Sequence, residues 1–248
     1  MLSAILNGKG RCLPESVKAG DSLRKVFVRS EDILTSTIFE RLAYLDGAIL
    51  WQIIGNAFRP MFLPERKIVN LIEIEFWPTW GQGRQLLNQA VQPDVVLRLS
   101  AGDPAQIWTL IVECKLGGRQ EPGQWAREWL AYLAENADSE SSGEIWLVAL
   151  GGLMPGGPEY TVAKFTEIIR REHGATVAAV AADWSDLLKT LDRVEVSDTV
   201  NRRIIDDMKA ALELHGFRQT LPMSDLIGLA SHYATHGASF GALRWSDN

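Results

Sequence analysis

An acid and a base stand two residues apart in one apolar segment, Trp108–Leu116, which reads WTLIVECKL. Side chains alternate between the two faces of a β-strand, so Glu113 and Lys115 project from the same face of the predicted strand. Burying a carboxylate or an ammonium group costs several kcal/mol unless a partner compensates for it. A structural ion pair explains this pattern as well as an active site does, so the pair alone does not decide between them.

The preceding strand brings a second carboxylate to the same place. Asp94 opens the apolar segment VVLRL, and the short turn Ala101–Pro104 predicts an antiparallel hairpin with the Glu113 strand. Asp94 is therefore expected beside Glu113 and Lys115. Converging carboxylates repel each other unless a cation joins them, and Mg²⁺ prefers oxygen ligands of this kind. With a lysine to position water or offset phosphate charge, the set favours metal-assisted hydrolysis of a phosphodiester.

Pro93-Asp94, followed by Glu113, Cys114 and Lys115 in the next strand, resembles the PD-(D/E)xK nuclease superfamily. The predicted order of elements, a helix, three strands, a helix and a strand, is similar to that of the superfamily's restriction-endonuclease-like core. The resemblance covers about half of the chain. It implies an Mg²⁺ ion, replaceable by Mn²⁺, held by Asp94, Glu113 and the carbonyl of Cys114. It also implies that Lys115 orients or activates the attacking water.

The resemblance also suggests an additional acid. Glu40 lies on the predicted helix before the sheet, where many members of the superfamily carry an acid that completes the metal site. Glu73 and Glu75 share one face of the first predicted strand, and either of them is an alternative to Glu40 if that strand adjoins Asp94. A solvated helix acid that pairs with Arg41 or Arg66 is the remaining interpretation of Glu40.

Gln124 extends the resemblance beyond the third strand. It lies near the start of the following helix, where several branches of the superfamily carry a glutamine, which implies a role at the catalytic site. Those branches often place a tyrosine four residues later, but this chain has Glu128 there and Tyr132 one turn further on. The role of Gln124 is the less specific part of the prediction.

Periodicity and turn residues predict an α/β fold with a mixed central sheet flanked by helices. The predicted strands are Lys67–Trp77, Asp94–Leu99, Trp108–Leu116, Glu144–Leu150 and Thr176–Ala181. The predicted helices are Ser30–Leu45, Leu50–Phe58, Pro122–Glu135, Thr161–Glu172, Trp184–Leu191, Thr199–Leu214 and Ser224–Thr235. We expect an irregular N-terminal segment (1–29), a nuclease core (30–182) and a helical C-terminal extension packed on the core (183–248).

Composition limits the classes of protein that fit. With 248 residues and 46% hydrophobic content, the chain can bury a sizeable core. No apolar run reaches the roughly 20 residues of a membrane span and no signal-peptide pattern begins the chain, so we expect a cytoplasmic protein without a membrane partner. The net charge of −6 argues against coating nucleic acid by bulk positive charge. Phosphate contacts need only a local basic strip.

These observations favour a metal-dependent endonuclease that acts on DNA. By analogy with the superfamily, such an enzyme would act in restriction, repair or defence against phage. Two alternatives stay open: a catalytically silent nuclease-like module that binds nucleic acid or protein, and a subunit of a larger complex that is active only with a partner protein. A homodimer is equally compatible with the sequence.

Overall fold

The computed structural model describes residues 30–59, 69–81, 90–137 and 143–218, together with Ala4 and Asn7. All of the elements below belong to one compact unit, Met1–Arg218. The predicted helix Ser224–Thr235 and nearly all of the segment 1–29 lie outside the described residues.

Six helices and five strands occur in the described part of the chain. The helices are α1 (Glu31–Leu42), α2 (Gly47–Ala57), α3 (Pro122–Glu135), α4 (Gly157–His173), α5 (Trp184–Arg193) and α6 (Thr199–Leu214). The strands are β1 (Val69–Phe76), β2 (Val95–Ala101), β3 (Gln106–Cys114), β4 (Glu144–Leu150) and β5 (Ala178–Ala182). They form one sheet in the order β1-β2-β3-β4-β5, antiparallel from β1 to β3 and parallel from β3 to β5. The predicted α/β class with a mixed sheet is confirmed.

Helices cover both faces of this sheet. On one face, α1, α2, α5 and α6 pack against alternate strand residues, which on β3 include Leu110 and Val112. On the other face, α3 and α4 pack against the intervening residues, which on β3 include Ile111. Because β3 is covered from both sides, every residue of Trp108–Cys114 is buried. A charged side chain on this stretch must therefore find its partners inside the protein.

Helix α1 begins where its sequence predicts. The Ser30 side chain accepts a hydrogen bond from the amide of Ile33 at 3.3 Å and so caps the helix. Glu31 and Asp32 in the first turn suit the positive end of the helix dipole. The buried side chains of the helix, among them Leu34, anchor it on the sheet. The cap fixes Glu31 as the first helical residue, which determines where its carboxylate can reach.

Two helices begin earlier than the sequence predicts. Helix α2 begins at Gly47 rather than Leu50, and α4 begins at Gly157 rather than Thr161. Glycine has a low helix propensity, which obscures both starts, although Asp46 stands at the N-cap of α2 and Pro158 lies in the first turn of α4. Among the described helices, none combines the length and the apolar character that a bilayer crossing needs.

Helices α5 and α6 are part of the main core. They bury Trp184, Leu188 and Met208 in the same apolar cluster as α1 and α2. The boundary expected between residues 182 and 183 therefore falls inside one packed layer. Trp184 also contacts the candidate site, as described below.

Helix α2 approaches β1 closely at Gly47. A Cβ atom on Gly47 would lie 1.8 Å from the carbonyl oxygen of Val69, where only backbone could give way. We expect Gly47→Ala to lower the free energy of unfolding by about 1–3 kcal/mol or more. Gly123→Ala is the matched control, because a Cβ there meets only the Arg127 guanidinium, at 3.5 Å. The control should be neutral or gain up to ~1 kcal/mol. Urea denaturation measures the free energy of unfolding of both variants. A Gly47→Ala variant as stable as the wild type would contradict this packing.

Candidate active site

The hairpin of β2 and β3 brings Asp94 and Glu113 together. Val95 pairs with Val112, and continuing this register by one residue sets Asp94 opposite Glu113, on the sheet face that α3 and α4 cover. Oδ2 of Asp94 accepts a hydrogen bond from the amide of Cys114 at 2.8 Å, which fixes the carboxylate against the end of β3. The structure thus contains the juxtaposition of carboxylates that the sequence led us to expect.

The surroundings of Asp94 oppose its ionisation. The Trp77 indole donates from Nε1 to Oδ1 of Asp94 at 3.1 Å. Burial and then the charge of Glu113 raise the pKa of Asp94 to about 7, against the lowering effects of the Cys114 amide and the Lys115 ammonium. Near neutral pH this carboxyl group therefore exchanges its proton readily, and a metal cation could take the place of that proton.

Lys115 supplies the positive charge of the site. Its Nζ donates to Oε1 of Glu113 and lies 3.7 Å from Oε1 of Glu31. The other oxygen of Glu31 accepts a hydrogen bond from the amide of Leu116. Burial favours the neutral amine, but the Glu113 and Glu31 carboxylates outweigh it and raise the pKa of Lys115. The lysine is consequently an ammonium ion at neutral pH.

The additional acid near Lys115 is Glu31, and this corrects the choice of Glu40. Both residues lie on α1, but Glu40 is nine residues further along the helix. That separation is roughly 13 Å along the axis and half a turn around it, so the two side chains leave opposite sides of the helix. Glu31 also influences the ionisation of Asp94. The helix was predicted correctly, but the end that meets the sheet was not.

The strand acids Glu73 and Glu75 do not supply this acid either. Glu73 pairs with Arg98, with 3.4 Å between the guanidinium and the carboxylate. Glu75 lies beside Glu73, and its pKa is raised by partial burial and then by the Glu73 charge. Both side chains are exposed on β1, the strand at one edge of the sheet. Their described contacts belong to that edge and not to the Asp94 cluster.

Helix α3 adds a fourth carboxyl group, which the sequence prediction did not include. Glu128 is buried against Glu113, within hydrogen-bonding reach of its carboxyl group. Burial and then the Glu113 charge raise the pKa of Glu128 well above its usual value. Gln124, which was expected at the catalytic site, donates from Nε2 to Oε1 of Glu128 at 3.0 Å. The four-residue spacing that puts both side chains on one helix face was the available signal for Glu128.

Neutral groups hold the backbone of the site. Gln120 is buried and donates from Nε2 to the carbonyl oxygen of Glu113 at 3.0 Å. The Trp184 indole donates from Nε1 to the carbonyl oxygen of Lys115 at 2.9 Å. Gly151, at φ 75°, leaves room for this bond, because a Cβ there would lie 2.2 Å from the Lys115 carbonyl oxygen. These neutral donors hold the carbonyl groups at the end of β3, whereas the Asp94 and Glu31 carboxylates hold its amides.

Neither a protein-family model nor a solved structure matches this chain. Uncharacterized protein PM0110 of Pasteurella multocida (strain Pm70) is 30% identical to it over 230 residues, which cover 88% of this chain and 81% of that protein. The chain belongs to the family of PM0110. The similarity extends over most of both chains, so it is not confined to one short motif.

Cys114 contributes to this site through its backbone. Its side chain is buried in the apolar cluster on the face opposite Glu113, and burial raises the thiol pKa well above its usual value. A neutral thiol on the far face is not a metal ligand. The Cys114 amide points to Asp94, and the N–H and C=O of one strand residue lie on the same side. Its carbonyl therefore faces the Asp94 side, as the prediction requires.

The chemistry of the cluster fits a hard divalent cation. Within the described ranges, no group of three or more His, Cys, Asp and Glu side chains already surrounds one metal position. The carboxylates share the Lys115 ammonium instead. Oε2 of Glu113 and Oε2 of Glu128 are nevertheless buried without a hydrogen-bond partner. Leaving such a group unsatisfied costs about 1–3 kcal/mol or more, and carboxylate oxygens are the ligands that Mg²⁺ prefers.

The raised pKa of Asp94 predicts how stability depends on pH. The folded-state pKa of about 7 lies above the usual 3.8, so the native state keeps a proton that the unfolded chain releases. The stability due to this proton is fully present below the unfolded pKa and is lost as the pH rises through the folded pKa. Asp94→Asn carries no such proton and should lose less stability over this interval.

We therefore expect the melting temperature of Asp94→Asn in EDTA, relative to wild type, to increase from about pH 4 to about pH 8. Differential scanning fluorimetry across this range measures the effect. Asp207→Asn, at an exposed carboxylate on α6, provides the control. A difference between Asp94→Asn and wild type that stays constant with pH would contradict the assignment of the proton to this site.

Proposed function

We propose that this protein is a metal-dependent nuclease of the PD-(D/E)xK type that hydrolyses DNA phosphodiester bonds. The observation that supports this most is the meeting of Asp94, Glu113 and Lys115 at the ends of two antiparallel strands, on one face of the sheet. The order α1, β1, β2, β3, α3, β4, with α2 inserted after α1, is compatible with a restriction-endonuclease-like core.

In this proposal, Asp94, Glu113 and the carbonyl of Cys114 hold one Mg²⁺ ion, which Mn²⁺ can replace. When bound, such an ion polarises the phosphate and lowers the pKa of a water molecule. Asp94 is suited to this role because its carboxylate is fixed by the Cys114 amide and the Trp77 indole. Both carboxylates approach the end of β3 from the same face of the sheet.

Lys115 acts as a charged donor and not as a general base, because its raised pKa keeps the ammonium protonated. A protonated lysine orients the attacking water through a hydrogen bond and offsets the negative charge that develops on the phosphate. Glu31 holds the ammonium from the side of α1, with 3.7 Å between Nζ and Oε1. Trp184 fixes the backbone beneath it.

DNA is the proposed partner, and the basic groups that would contact its phosphates are local. Arg119 is exposed in the segment that follows Lys115, and Arg127 is exposed on α3. A few such contacts suffice for an acidic protein, because binding depends on the charge of the contact strip and not on the net charge. A role in restriction, repair or phage defence follows only by analogy with the superfamily.

Lys115→Ala tests the assignment of this side chain. We expect cleavage to fall by a factor of about 100 or more, because a group that stabilises transition-state charge is lost. Stability in EDTA should fall by less than the ~3–5 kcal/mol of a fully buried ion pair, since the lysine is partly exposed. Mg²⁺ should restore part of this stability by replacing the missing charge.

The assay uses duplex, single-stranded and branched DNA and RNA, with Mg²⁺ or Mn²⁺, and melting is followed in parallel. Lys189→Ala is the matched control, because Lys189 is exposed on α5 and pairs only with Asp186 among its described contacts. A Lys115→Ala variant as active as wild type would contradict the assignment. A wild type that is inactive on every substrate, combined with a loss of stability that Mg²⁺ does not restore, would favour a structural ion pair.

A further inference from the structure

Only one of the two carboxyl oxygens of the buried Glu113 side chain accepts a hydrogen bond. Oε1 accepts from the ammonium of Lys115, whereas Oε2 is buried and has no donor within the described residues. The residue is 3% exposed, so bulk water does not compensate for the missing donor. The side of Glu113 away from Lys115 therefore faces a group that does not donate to it.

That group is Glu128, whose carboxyl group also has one oxygen without a donor. Oε1 of Glu128 accepts from Nε2 of Gln124 at 3.0 Å, and Oε2 has no donor. Glu128 is 1% exposed. The two carboxyl groups lie within hydrogen-bonding reach of each other, and burial and the Glu113 charge raise the pKa of Glu128. When both groups are ionised, two acceptor-only oxygens face each other in a site that excludes water.

The neighbouring contacts of α3 show that this arrangement is not a general feature of the interface. One turn beyond Glu128, the hydroxyl of Tyr132 is hydrogen-bonded to Oγ1 of Thr109 at 3.1 Å. One turn before it, the amide of Gln124 is bonded to Glu128 itself. Polar groups on this helix face are matched to partners except at the Glu113–Glu128 contact, where a proton in the metal-free protein or a bound cation would join the two oxygens.

We propose that Glu128 is an additional ligand of the divalent cation, which bridges its Oε2 to Oε2 of Glu113, while Gln124 positions Glu128. This inference rests on the proposed function for the presence of the cation. It changes the role of the helix: α3 contributes a metal ligand to the site, and the amide of Gln124 holds that ligand and does not contact the substrate.

Titration of Mn²⁺ into the metal-free protein, followed by calorimetry, tests this without relying on activity. We expect Glu128→Gln to bind Mn²⁺ at least about tenfold more weakly than wild type, because a neutral amide replaces one of the few carboxylate ligands. Glu128→Asp keeps the charge on a shorter side chain and should show an intermediate loss. Glu167→Gln, at an exposed glutamate on α4, is the matched control and should bind as wild type does.

Melting temperatures in EDTA separate a ligand from a structural residue. Glu128→Gln should fold and melt no lower than wild type, because its amide can donate to Oε2 of Glu113 and one of two facing acids is removed. Wild-type Mn²⁺ affinity in Glu128→Gln, together with weakened binding in Asp94→Asn, would overturn this inference and leave the proposed function intact. No Mn²⁺ binding to the wild-type protein would overturn both.

Discussion

The site contains one lysine ammonium and four carboxyl groups, and the rest of its structure depends on this imbalance of charge. Glu113 is buried at the end of the central strand, and Asp94, Glu128 and Glu31 approach it or Lys115 from β2, α3 and α1. Like charges repel strongly where water is excluded. The apolar clusters on both faces of the sheet hold these groups together. Lys115 offsets part of the repulsion, and a divalent cation would offset more.

The backbone of the site is held by neutral groups and by carboxylates together. Gln120 and Trp184 donate to the carbonyl oxygens of Glu113 and Lys115, and Gly151 allows the close approach. The backbone amides of Cys114 and Leu116 donate to the carboxylates of Asp94 and Glu31, so charged side chains hold the end of β3 as well.

The sequence predicts those parts of the fold and the site that depend on local order. Strand alternation puts Glu113 and Lys115 on one face, the short turn before β3 brings Asp94 to them, and periodicity predicts the order of helices and strands. The remaining acids depend on how helices dock. Nothing local shows that the first turn of α1 meets the end of β3, so the sequence does not predict the contact of Glu31 with Lys115. Only the packing of α3 on β3 turns Glu128 into a neighbour of Glu113.

The central claim is that Asp94 and Glu113 together bind a divalent cation. Crystals of the metal-free protein soaked in Mn²⁺ test it most directly, because anomalous scattering locates manganese independently of the surrounding atoms. The account predicts one strong peak between the two carboxylates, with oxygen ligands at about 2.1 Å and the Lys115 ammonium moved off Glu113. A saturating soak that gives no peak there and leaves Lys115 paired with Glu113 would contradict it.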